Sequence, residues 1–214
     1  MNPSILRVGF RSGLIACIAT LAFYVVQTLQ IIGLLLYPWD EILIYGFSFC
    51  ITIPFLMEML ALHYSVDIQK KYWSHLALLC TAIYVVFVSA NYIVQLATVI
   101  PYTLQGKGAE IELLRQTPHS MFWDFDAAGY IFMGLATLFS IPLFENKGFQ
   151  KWVKYSLVAH SAVTPLICFV YFHPVFNNHL LLLATPWAIT APLFMLLIAI
   201  DFKKNRTRQN SLKS

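Results

Sequence analysis

The sequence predicts an all-α integral membrane protein, a bundle of six transmembrane helices with its N- and C-termini in the cytoplasm. Three observations predict it. Hydrophobic residues make up 59% of the 214 and charged residues only 11%, against about a quarter charged in an ordinary soluble domain. Six apolar runs each reach the roughly 20 residues that a helix needs to cross about 30 Å of hydrocarbon. Lys and Arg then fall almost wholly on one side of the chain, the side that the positive-inside rule makes cytoplasmic. Hydrocarbon offers backbone N–H and C=O groups no partner, and the runs are too long for tilted barrel strands, so they are read as helices.

The first span, residues 14–37, follows Arg7 and Arg11. Its apolar run exceeds the about 7 to 15 residues of a cleavable signal sequence, so it reads as a retained anchor. The second, 42–64, leads to Lys70 and Lys71, and the third, 73–100, runs to Pro101. Residues 101–123, "PYTLQGKGAEIELLRQTPHSMFW", form the longest connection, with a helical-looking centre from Ala109 to Gln116 and enough length to act as a lid or docking element. The fourth and fifth spans, 125–144 and 152–172, flank a turn marked by Lys147, Lys151 and Lys154. The sixth, 180–200, enters a basic tail, 203–214, carrying Lys203, Lys204, Arg206, Arg208 and Lys213. Only Lys107 and Arg115 of the fourteen basic residues fall on the opposite side, beside Asp40, Glu41, Glu110, Glu112 and Asp124. Residues 1–202 thus read as a single transmembrane domain. Trp39, Trp73, Trp123 and Trp152 sit at span ends, where an interfacial aromatic belt belongs. The net charge of +4 reports topology and does not call for a nucleic acid partner. The expected surroundings are the lipid bilayer of a cell inner or plasma membrane, with an oligomer compatible.

Polar residues inside the spans carry the functional signal. On the third span Tyr84, Asn91, Gln95 and Thr98 share one helical face by their spacing. Asp126, Tyr130, Thr137 and Ser140 do so on the fourth, Ser156, His160, Thr164 and Tyr171 on the fifth, and Thr20, Tyr24, Gln27 and Gln30 on the first. The topology puts Gln27, Gln30, Asn91, Gln95 and Asp126 in the outer half of the bilayer, where they would line one outward-facing cavity for a small-molecule or lipid ligand, with Tyr84 deeper. The alternative is that the same groups hydrogen-bond helix to helix, at about 0.6 kcal/mol per contact. Glu58 lies in the cytoplasmic half of the second span on an otherwise apolar face, a titrating candidate, as is His160; its partner must come from another helix, with Tyr84 or His160 nearest in depth.

Catalytic patterns are incomplete. His63 and Asp67 form an H-x-x-x-D that faintly resembles the motif of zinc-dependent intramembrane hydrolases related to alkaline ceramidases, but that family's H-x-x-x-H pair and seventh span are missing. His63 and Asp67 are therefore expected to form an interfacial pair. No nucleophile elbow, P-loop or dinucleotide fingerprint occurs. The four cysteines, Cys17, Cys50, Cys80 and Cys168, all lie in spans and read as packing residues. No cofactor, metal site or catalytic residue is assigned. The leading class is a protein that binds or transports a small or amphipathic molecule. An intramembrane metal-dependent or acid-base enzyme and a structural subunit of a membrane complex are the alternatives.

The topology makes one direct prediction. Single cysteines at Gly148 and Ser214, in a background lacking the native four, should be labelled by an impermeant thiol reagent only from the cytoplasmic face. Labelling of either in intact cells would overturn the arrangement with both ends inside.

Overall fold

The computed structural model describes residues 3–211. Every regular element among them is helical: α1 (Pro3–Ile31), α2 (Trp39–Ser65), α3 (Lys71–Val94), α4 (Ile100–Leu104), α5 (Met121–Ser140), α6 (Gln150–Phe172), α7 (Leu181–Ala184) and α8 (Trp187–Ser211). Six helical stretches are long and apolar enough to cross a membrane.

Local chemistry sets the boundaries and moves several from their expected places. The first helix starts at Pro3, well before residue 14, and ends at Ile31. Gly33 stops it at φ 72°, and the Leu34 N–H reaches the Leu29 carbonyl at 2.9 Å, the long bond of a Schellman turn that a left-handed glycine permits. The third span does not end at Pro101. A five-residue π-helical segment, Gln95–Val99, joins α3 to α4, and Pro101 sits in the first turn of α4, where its missing N–H is harmless. Ser120 caps α5 by accepting from the Trp123 N–H at 3.2 Å. The sixth span is interrupted, because Pro186 disfavours helix at Thr185 and separates α7 from α8. The tail expected from 203 continues α8 through Ser211, and 212–214 lie outside the described residues.

The six long helices form a closed circuit. In chain order α1 packs on α2, α2 on α3, α3 on α5, α5 on α6 and α6 on α8, and α8 returns to α1. Each neighbour in sequence is thus a neighbour in space, as short connections require. Phe202 near the end of α8 lies against Gly9 near the start of α1, so the two ends of the described chain share one end of the bundle. Inside the circuit six side chains touch in a ring: Tyr84, Phe55, Phe194, His160, Trp187 and Tyr130, with successive centroids 4.7 to 6.4 Å apart. Apolar residues such as Ile15, Ile18, Val25, Val86 and Leu193 point outward, the inverse of a soluble bundle. Of the four tryptophans placed in the interfacial belt, Trp39, Trp73 and Trp152 are exposed. Trp123 is buried, its ring against Tyr171 with centroids 4.5 Å apart.

Close helix contacts use glycine. A Cβ at Gly129 of α5 would overlap Cγ2 of the fully buried Val88 on α3, and one at Gly9 would come within 2.6 Å of the Phe202 ring. Gly46 of α2 has nothing within 4 Å. Val88 is stiff at χ1 and cannot swing away. Gly129→Ala is therefore expected to lose about 1–3 kcal/mol by overpacking, whereas Gly46→Ala should be neutral or gain up to about 1 kcal/mol. Thermal unfolding in detergent should put Gly129→Ala below the parent and Gly46→Ala level with it or above; equal transitions would sink the close α3–α5 approach.

Candidate functional site

The polar side chains of α3, α5 and α6 converge on Asp126. This carboxylate is buried near the start of α5. Its Oδ1 accepts from the Tyr92 hydroxyl at 2.8 Å and from Asn91 Nδ2 at 3.3 Å, and its Oδ2 from the Tyr171 hydroxyl at 2.5 Å. Tyr92 has one proton and gives it to Asp126, so the Tyr130 hydroxyl, 2.9 Å away, donates to Tyr92. The carboxylate is thus held by neutral donors from two helices other than its own. Bonds to a charged acceptor are worth about 1.5–3 kcal/mol each.

The long connection closes over this cluster. Its centre is a 3-10 helix, Gly108–Leu114, shorter than the stretch from Ala109 to Gln116 read from the sequence. Asn91 Nδ2 also donates to Gln116 Oε1 at 2.9 Å, Gln95 Nε2 to the Leu114 carbonyl at 2.8 Å, and the Gln116 N–H to Gln95 Oε1 at 3.2 Å. The side chains of Asn91 and Gln95 therefore hydrogen-bond to the loop and, at 3.4 Å, to each other. Both are buried. Val94 is partly buried, whereas its neighbour Ile93 is 49% exposed.

The other expected residues fall into separate groups. Gln27 donates to Gln30 at 2.7 Å and Gln30 to Asp40 at 2.9 Å, a chain that ties the end of α1 to the start of α2. Tyr84 belongs to the aromatic ring, and its hydroxyl is buried without a partner. His160 lies across that ring: the Thr190 hydroxyl donates to the Pro186 carbonyl, so His160 Nδ1–H donates to Thr190 at 3.0 Å. Neither is the partner that Glu58 was expected to find. Glu58 is fully buried, and both of its carboxyl oxygens lack a hydrogen bond. It points at Gly13 of α1, where a Cβ would overlap Oε1, with Ala199 of α8 beside it. His63 bonds Ser74 at 2.9 Å and is not paired with Asp67, which lines a different cavity.

That cavity, about 120 Å3 at the end of the bundle shared by the first and last helices, is bordered by Leu62, Asp67, Lys70, Glu145, Asp201 and Asn205. At roughly 30 Å3 per molecule it has room for a few waters. Lys70 Nζ donates to the Leu143 carbonyl at 2.9 Å and Asn205 to Asp201 at 3.0 Å. Lys147, 2.8 Å away, holds the Glu145 carboxyl below the usual range. Leu62, which borders this space, lies one turn from Glu58 on α2, and Glu58 itself does not border it. Among the described residues no three His, Cys, Asp or Glu side chains are grouped to hold a metal ion.

Sequence reasoning missed Tyr92, Asp40 and Gln116 as partners. Tyr92 follows Asn91 and is turned about 100° from it, so a stripe drawn at three- and four-residue spacing passes it by. Gly9 and Gly13 form a G-x-x-x-G signal for close packing of α1 that was equally open to reading. Set against protein-family models, curated proteins and solved structures, the chain matches none of them.

Two unpartnered buried oxygens are a liability that an apolar side chain would remove. Glu58→Leu is accordingly expected to leave the protein as stable as before or to stabilise it by up to about 2 kcal/mol, with Glu58→Gln close to the parent. A thermal transition lowered by several degrees in Glu58→Leu alone would mean that the carboxyl has a structural bond.

Proposed function

We propose that this multi-pass membrane protein, with both termini cytoplasmic in a cell inner or plasma membrane, binds and transfers a small polar or amphipathic molecule. The molecule is taken up from the outside at Asp126. The observation that carries this reading is the position of Asp126 under a loop that touches it only through exchangeable amides. Gln116 and the Leu114 carbonyl hold Asn91 and Gln95, and Asn91 in turn donates to the carboxylate. If the loop lifts, one carboxylate, two amides and three tyrosine hydroxyls become available together. That set matches a cationic or hydroxyl-bearing ligand, which would replace the tyrosine donors with its own. Gln27, Gln30 and Tyr84, which sit in separate groups in the closed state, would join the lining toward α1 and the centre once the loop lifts. Glu58, with no bond of its own, serves as the group that exchanges a proton or cation.

The same bonds would exist if the cluster merely held helices together, and binding separates the two. The chain in lipid nanodiscs is expected to show a raised thermal transition with at least one small amine or polyol. The gain is about 2.7 kcal/mol at one hundred times Kd. Asp126→Asn, whose amide keeps a carbonyl acceptor for one tyrosine, should fold and lose the response, and Gln116→Ala should speed association. No response from any such compound, or an equal one in Asp126→Asn, sinks the ligand reading.

A further inference from the structure

At the same end of the bundle as the water-sized cavity, the last turn of α2 and the first turns of α3 enclose a second space. It is an open cleft of about 390 Å3 lined by His63, Lys71, Tyr72, His75 and Leu76. Its polar lining consists of one cation, Lys71, with two histidines and a tyrosine, and no acid. The His63 and His75 rings meet edge to face with centroids 5.6 Å apart. Lys71 lies 5.7 Å over the Tyr64 ring and donates to the His63 carbonyl. Ser74 gives its proton to the Lys71 carbonyl at 3.0 Å, so His63 donates from Nδ1 to Ser74, and its Nε2 donates to an anion only when the ring takes up a second proton. Asp67, the nearest acid in sequence, lines the other cavity.

Exposed aromatic residues mark this cleft as interfacial: Tyr64, Tyr72 and Trp73 all lie open beside it. Toward the middle of the bundle the same helix faces turn apolar. Leu60 precedes His63 by three residues and Tyr64 by four, and Leu79 follows Leu76 by three and His75 by four; both leucines are exposed. A ligand seated here would thus meet Lys71 and the two histidines at one end and a greasy strip at the other.

We infer that this cleft binds the phosphate head of an anionic phospholipid, with the acyl chains along Leu60 and Leu79. Basic pockets between membrane helices select such heads by charge, and the apolar strip distinguishes a lipid from free phosphate. The site is separate from the Asp126 cluster and does not depend on it.

The test uses the full chain in a neutral detergent, titrated with phosphatidylglycerol, phosphatidylcholine and inorganic phosphate, with bound molecules counted by native mass spectrometry. Phosphatidylglycerol should be retained about tenfold better than phosphatidylcholine, and inorganic phosphate not at all. Lys71→Ala combined with His75→Ala should abolish the preference. Lys151→Ala combined with Lys154→Ala, which removes at least as much positive charge on α6, should preserve it. If the first pair does not fold, His75→Glu at its exposed position gives the same readout. Equal retention of the two lipids, a preference that survives at positions 71 and 75, or phosphate binding as tightly as the lipid would each overturn the assignment.

Discussion

Inside hydrocarbon a polar side chain has no partner except the protein, and the rest of this structure depends on that constraint. Four of the six long helices carry a polar stripe, and turning these stripes inward while Ile, Val and Leu face outward suits a closed circuit of six helices. The strongest demand comes from Asp126. Its three donors fix the relative heights of α3, α5 and α6, because a slip of one turn would carry Tyr92 or Tyr171 some 5.4 Å from the carboxylate. The same cluster orders the long connection through Gln116. At the neighbouring edge the Gln27, Gln30 and Asp40 chain fixes α1 against α2. One chemical requirement thus sets the register of most of the bundle.

Glu58 breaks the rule that Asp126 obeys. Both are buried carboxyls in apolar helices, yet one has three donors and the other none. Packing explains how Glu58 fits: Gly13 lets α1 come close enough to cover the side chain. It does not explain why a carboxyl is there, since a leucine would occupy similar space without unpaired oxygens. A group held against its own stability is what functional sites contain.

The class of fold was legible in the sequence because it rests on quantities that composition controls: apolar length, helical periodicity and the placement of charge. Asn91, Gln95 and Asp126 were legible as a group for the same reason, since spacing and depth can be read without neighbours. Their mode of bonding was not. Whether Asn91 faces a ligand space or Gln116 depends on how residues 105–120 dock, and no local pattern encodes that. Trp123 shows the limit from the other side. Its position at a span end matches an interfacial tryptophan, but Tyr171 and Phe176 on neighbouring segments cover its ring. Boundaries moved where a single residue overrode the hydropathy, as Gly33 does after α1 and Pro186 does before α8.

The two ends of the bundle are built differently, and the difference bears on direction. At the Asp126 end, bonds among the loop, two amides and three tyrosines close the structure. At the other end a cavity and a cleft stand open, bordered by Asp201, Lys70, Lys71 and the two histidines. Tyr130 belongs to both the closed cluster and the aromatic ring: its hydroxyl donates to Tyr92, while its ring lies edge-on to Trp187 at 5.1 Å. A ligand that drew Tyr92 away from Asp126 would free the Tyr130 hydroxyl and the ring position it holds. From Trp187 the contacts run through His160 and Phe194 to Phe55, one turn from Glu58. The polar cluster and the unpartnered carboxyl are therefore joined by packed rings and not by a chain of hydrogen bonds. Any coupling between them has to pass as a change of packing, for which a close-packed interior offers discrete alternatives instead of gradual yielding.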